Sequence, residues 1–221
     1  MGKETEQKQE IVNQGVHRYS QEEAYVWPEE PVLREQLEWF QDQKLALMVH
    51  WGMYNQLGMV ASWALSDEDA EWSRKTVDWT DDGELFKRQY RALNRAFNPV
   101  AFQPEEWAKM AKKCGFRYLI LTTKHHDGFC LWDTAYTEYK TTAEECPFHT
   151  HKYADIVRAM FDAFRKEGLG IGAYFSKADW HCPDYWETEK ALTRKTTRNP
   201  TYDPKENPEA WERLSLIHIS E

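Results

Sequence analysis

FRYLILTTKHHDGF, residues Phe116 to Phe129, runs from an apolar stretch into three side chains able to do chemistry: His125, His126 and Asp127. A short apolar run of this kind reads as a buried strand. Just before it, PEEWAKMAKKC (Pro104 to Cys114) opens on proline and has Gly115 past its end, the punctuation of a helix. Further upstream lies a second apolar run, LALMVHWG, introduced by Lys44 and closed by Gly52. It is too short for a buried helix and suits a buried parallel strand. Downstream, YADIVRAMFDAFRKE (Tyr153 to Glu167) sets Ile156, Val157, Met160, Phe161 and Phe164 at helical spacing, and Gly168 stops it. LGIGAYFSKADW follows as a third strand. Strand, helix, strand, helix, strand predicts a parallel sheet with helices packed outside it.

Outside this repeat, residues 1–28 read as a flexible leader, and EEPVLREQLEWFQDQ (Glu29 to Gln43) as a short amphipathic helix with Pro31 near its start. Met53 to Val100 is a polar, tryptophan-bearing excursion that regains a helical period in GELFKRQYRALNRAF. Chemically able residues gather at the C-terminal end of every strand. They are His50 and Trp51, then His125, His126 and Asp127, then Tyr174, Ser176, Asp179 and Trp180. Barrel enzymes build their sites on that rim, and no G-x-G-x-x-G turn follows any strand to support a dinucleotide fold. The expected fold is α/β, an incomplete (β/α)8 TIM-like barrel comprising the first three or so β/α units. A full barrel needs roughly 250 residues, and the chain has 221.

A net charge of −9 with no basic stripe argues against nucleic acid and anionic membrane as partners. No apolar run approaches the ~20 residues of a membrane span, and Met1 to Gln14 lacks the apolar core and cleavage site of a secretory signal. The chain as written is therefore expected in the cytoplasm. Cys114, Cys130, Cys146 and Cys182 are widely spaced, so neither a zinc site nor a small disulfide scaffold is expected. The eleven tryptophans are mostly core, as Trp132, Trp180 and Trp186 are expected to be, but aromatic faces also suit sugar rings.

Neighbouring side chains on a strand point to opposite faces, so His125 and His126 share a pocket only where the strand ends. Asp127-Gly128 supplies such a turn. Two chemistries fit the cluster. A metal site would draw on His50, His125, His126, Asp127 and His181, but barrel metallohydrolases tend to carry a close H-x-H pair on the first strand, which here offers one histidine. A sugar site would use histidines and a tyrosine on ring hydroxyls and tryptophans on the apolar face of a pyranose. The aromatic content favours the sugar. Asp127 and Asp179 are expected to fasten rim loops through turn hydrogen bonds.

LMVHWGMYNQLG, FNPVAFQPEEWAKMAKKCGFRYLILTTKHHDGFCLWDT and GIGAYFSKADWHCPDYW together resemble the N-terminal half of the retaining α-L-fucosidases of glycoside hydrolase family 29. The likeness runs from about Trp39 to about Trp211, and its specificity lies in TKHHDGF-x-L-W standing downstream of HWG and FNP-x-x-F-x-x-x-x-W. It implies an exo-acting enzyme that removes terminal L-fucose from fucosylated oligosaccharides or glycoconjugates. Retention through a covalent glycosyl-enzyme intermediate, with no cofactor and no metal, is implied with it. Matched by position, it implies His50, His125, His126 and Tyr174 as substrate-binding residues. Trp63 falls where the family often has the tryptophan of a Glu-Trp pair, and Ser62 stands in the glutamate's place.

Retaining glycosidases need two carboxyl groups roughly 5 Å apart. By the resemblance, the nucleophile is an aspartate at the end of the next barrel strand, in a W-x-D-G-like run, and no such run occurs. NPEAWER (Asn207 to Arg213) reads as the start of the helix leading there. The LSLIHISE that follows is not expected to continue that helix, and residues 215–221 read as a non-native tail. Residues 29–214 are thus expected to be the first half of the barrel domain, without catalytic residues and inactive alone. Unpaired sheet edges would favour self-association. The alternatives are a non-catalytic sugar-binding fragment and a metal-dependent barrel hydrolase sensitive to chelators.

Overall fold

The computed structural model describes residues 27–66, 71–185 and 205–219. The chain divides into two compact units, one ending at Asp42 and one starting at Gln43. Apart from Trp27 and Pro28, the leader lies outside the described residues, as does Trp186. Helix α1 (Pro31–Gln43) begins on the expected proline, and the Glu30 carboxylate accepts hydrogen bonds from the Val32 and Leu33 amides.

From Gln43 onward the protein is α/β. Strands β1 (Ala46–Val49), β2 (Tyr118–Lys124) and β3 (Gly170–Phe175) form one parallel sheet in the order β1-β2-β3. The connections hold α2 (Gly83–Arg91), α3 (Pro104–Lys113) and α4 (Ile156–Lys166), and α5 (Pro208–Ile219) comes last. The polar excursion folds as short 3-10 turns at Met53–Leu57, Ala61–Leu65 and Glu71–Thr76. Asp82 caps α2 by accepting from the Glu84 and Leu85 amides. The helical period expected to reach Phe97 is α-helical only to Arg91 and tightens into a 3-10 turn over Ala92–Ala96. Asn98-Pro99 lies just ahead, and the residue before a proline disfavours the α conformation. α4 starts at Ile156 rather than Tyr153 because Asp155 caps it, its carboxylate accepting from the Arg158 amide at 2.9 Å.

The core lies where α3 and α4 pack on each other and α4 covers the sheet. Ala108 and Ala111 of α3, Ile156, Met160 and Phe164 of α4, and Leu119 and Leu121 of β2 are fully buried. Each large apolar side chain withdrawn in this way contributes about 1.5–3 kcal/mol. Only β2 is buried along most of its length, whereas β1, expected as a buried strand, is not. β1 and β3 stay half-exposed, since each has a single strand neighbour among the described residues. The last residues, not expected to continue an amphipathic helix, are helical, α5 running through Leu214 to Ile219. Among the described residues no helix is long and apolar enough to cross a membrane.

Candidate functional site

Strand register builds the site. Val49 pairs with Leu121 and Thr122 with Tyr174, so His50, one residue past β1, falls in a row with Thr122 and Tyr174. His50 Nδ1 and Thr122 Oγ1 lie 3.0 Å apart, and the His50 and Tyr174 rings meet at 5.9 Å, edge-on. β2 then ends in an irregularity, with Lys124 rather than Thr123 paired to Phe175. The chain turns at Gly128, whose φ of +79° is left-handed and suits glycine. Upstream, Gly52 lets the Tyr54 ring fold back under the end of β1, since a Cβ at Gly52 would lie 2.6 Å from that ring.

With the strand ended, the adjacent histidines enter one cluster. Their ring centroids are 4.7 Å apart. His125 lies 5.0 Å from His50 and stacks on Tyr174 at 6.2 Å. Trp63 meets His125 edge-on at 5.9 Å and His126 at 4.9 Å. Trp180, expected as simple packing, is buried with its ring stacked on His126 at 4.7 Å. Trp132 does pack, against Phe175. The five residues singled out in the sequence, His50, Trp63, His125, His126 and Tyr174, therefore stand together at one end of the sheet. His50 is exposed and His126, Trp63 and Tyr174 are half-buried, so solvent reaches the cluster.

Each histidine is anchored through Nδ1. Thr122 holds His50, the Ser62 hydroxyl holds His125, and the Ala178 carbonyl holds His126 at 2.9 Å. Burial lowers the pKa of His50. His125 falls to about 2, through burial first and then the nearby His126, His50 and Lys124. The His125 ring is thus neutral at physiological pH.

A charged layer lies beneath the histidines. Lys124 Nζ, fully buried, sits 3.1 Å from Asp179 Oδ2 and donates to the Ser176 carbonyl at 2.9 Å. Asp179 Oδ1 accepts from the His181 and Cys182 amides, both at 2.9 Å. Burial pushes the Asp179 pKa up, but Lys124 and those amides outweigh it and the net shift is downward. Asp127 accepts from the Tyr90 hydroxyl at 2.8 Å and from the Phe129 amide at 3.1 Å. Burial raises its pKa to about 6 against the pull of the Phe129 amide, Tyr90 and Lys124. Both aspartates fasten turns, as expected, and every one of their carboxylate oxygens has a partner.

Of the side chains weighed as metal ligands, His181 instead stacks on Tyr139 at 4.0 Å. Among the described residues no three His, Cys, Asp or Glu are placed to hold a metal ion. Two surface clefts lie away from the cluster. One of about 680 Å³ is lined by Arg91, Asn94, Tyr139 and His181 among others, and one of about 410 Å³ opens between β2, β3 and α4. Neither contains the histidine cluster, whose claim rests on convergent chemistry rather than concavity. Sequence reasoning missed Thr122, the Ala178 carbonyl and the anchoring role of Ser62. A lysine closing an apolar strand was the legible sign of the charged layer.

Comparison with known proteins gives a consistent result. The alpha-L-fucosidase family model matches residues 12–215. Plasma alpha-L-fucosidase of Rattus norvegicus is 29% identical over 158 residues, 71% of this chain and 33% of the relative. A family 29 alpha-L-fucosidase from Bacteroides thetaiotaomicron, solved as a trapped covalent intermediate with 2-fluoro-fucosyl fluoride, superposes with a TM-score of 0.59 at 28% identity. That likeness covers 89% of this chain and 38% of the other. Alpha-L-fucosidase AlfC from Lactobacillus casei, solved with its α-L-fucose product, gives a TM-score of 0.55 at 29% identity, covering 84% and 54%. This chain spans about a third of the length of the curated relatives it matches. With most of its length matched by the family model, the chain belongs to the α-L-fucosidase family.

Proposed function

We propose that the rim cluster is the fucose-binding part of an α-L-fucosidase active site, carried on the first strands of a (β/α)8 barrel. The observation that carries this is the convergence of His50, His125, His126 and Tyr174 beside Trp63 at the C-terminal ends of three successive parallel strands. Sequential order of the three parallel strands with helices between them is the order a barrel requires. The histidine Nε2 atoms and the Tyr174 hydroxyl hydrogen-bond the sugar's hydroxyls, and Trp63 packs on its apolar face. The substrate class is a fucosylated oligosaccharide or glycoconjugate with terminal L-fucose.

The complete reaction proceeds with retention through a covalent glycosyl-enzyme intermediate, a route supported by the intermediate trapped in the Bacteroides relative. It requires two carboxyl groups roughly 5 Å apart and no cofactor or metal. Asp127 and Asp179 do not meet that requirement, because turn amides, Tyr90 and Lys124 occupy them. The 221-residue chain therefore binds the sugar without cleaving it. Incubation with 4-nitrophenyl α-L-fucoside tests both halves of the proposal. Ligand-observed NMR is expected to show binding, and absorbance to show no nitrophenolate release. Absent binding overturns the sugar site, and release clearly above a His125→Ala control overturns the non-catalytic assignment.

A further inference from the structure

Ser62 is fully buried in the turn Ala61–Leu65, and its hydroxyl bonds to Nδ1 of His125. Ala61, just before it, is held at φ +50°, a left-handed conformation that alanine adopts only when its surroundings impose it. A hydroxyl carries one hydrogen, and a neutral imidazole carries one ring proton. If His125 bore that proton on Nδ1, Ser62 would accept it. The serine's own hydrogen, fully buried with its residue, would then lack an acceptor among the described residues. Leaving a buried donor unmatched is costly. Donation from Ser62 to Nδ1 satisfies both groups and puts the His125 proton on Nε2.

The neighbouring histidine is fixed in the opposite sense. A carbonyl oxygen only accepts, so the 2.9 Å contact between Ala178 O and His126 Nδ1 requires the proton on Nδ1. We infer that Ser62 is a positioning residue that fixes His125 as its Nε2–H tautomer, so that His125 presents a hydrogen-bond donor to a hydroxyl of a bound sugar. The depressed pKa of His125 agrees with a ring that stays neutral and so keeps a defined tautomer. The tautomer assignment stands on the protein's own hydrogen bonds, and only its use on a sugar rests on the proposed function.

Long-range ¹H–¹⁵N NMR of the histidine rings in the whole 221-residue chain tests the assignment without any ligand. His125 is expected as the Nε2–H form and His126 as the Nδ1–H form. Ser62→Ala should turn the His125 signals into a tautomer average and weaken L-fucose binding about fivefold, the effect of one lost hydrogen bond. Ser62→Thr should restore both readouts. An Nδ1–H signal from His125 in the wild type, or an unchanged His125 spectrum in Ser62→Ala, overturns the inference. Should Ser62→Ala not fold, the wild-type and Ser62→Thr spectra still decide. If the tautomers are as assigned while wild type has no affinity for L-fucose, Ser62 keeps its role and the proposed function fails.

Discussion

His125 carries a marked pH consequence. Its pKa falls from 6.5 to about 2 on folding, so below pH 6.5 the unfolded chain takes up a proton that the folded ring refuses. The stability this contributes is complete above pH 6.5 and is lost progressively as pH falls, with a slope of at most about 1.4 kcal/mol per pH unit. His50 and His181, both lowered chiefly by burial, act in the same direction. Asp127 opposes them. Its pKa rises from 3.8 to about 6, so its contribution is full below 3.8 and lost as pH rises through 6. Three histidines outweigh one aspartate. Lowering the pH from 7 to 5 is therefore expected to lower the thermal midpoint followed by circular dichroism, and His125→Gln should flatten that dependence. An equal pH dependence in both proteins would contradict it. At this scale the sequence was informative about identity and silent about contact. His50, His125, His126 and Tyr174 stood out as polar residues closing apolar strands. The bond from Ser62 to His125 spans 63 positions, and no local pattern encodes such a partnership.

Among the elements, the turn after β2 is the most constrained. Gly128 is left-handed at φ +79°, and a Cβ there would lie 2.6 Å from Asp179 Oδ1 and 2.8 Å from His181 Cβ. Gly128→Ala combines backbone strain with a clash against the loop that Lys124 and Asp179 hold. It should destabilise the protein by about 2 kcal/mol or more, read from urea unfolding. A change under about 0.5 kcal/mol would mean that the loop yields, and the rim is not built as described. Helix and strand positions were readable where the chain carries its own punctuation. Pro104 and Gly115 bracket α3 as expected, with Gly115 at φ +84°. Boundaries moved where a cap decided them, as Asp155 does for α4. The helical course of α5 past Leu214 had no cue in its irregular apolar pattern, and the 3-10 turns of the excursion have no periodicity to read.

For the whole molecule, alternation of strands and helices predicted a parallel sheet, and β1, β2 and β3 pair in that sense. The order of strands was not legible, because pairing joins segments far apart in the chain and side-chain pattern does not name the neighbour. Burial differences follow from that order. The central β2 is enclosed, whereas β1 and β3 keep a half-exposed character, with Met48 50% exposed in a strand read as buried. The histidines lie beyond the enclosed strand and against the aromatic side chains of the excursion, a juxtaposition only the fold creates. On the proposed function, this juxtaposition recognises L-fucose. Isothermal titration of the 221-residue chain with L-fucose and with its mirror image D-fucose tests it, alongside His126→Ala. Saturable binding of L-fucose alone is expected, weakened at least about tenfold in the variant by the loss of the ring and its hydrogen bond. Equal response to the two enantiomers, or unchanged affinity in His126→Ala, would contradict it.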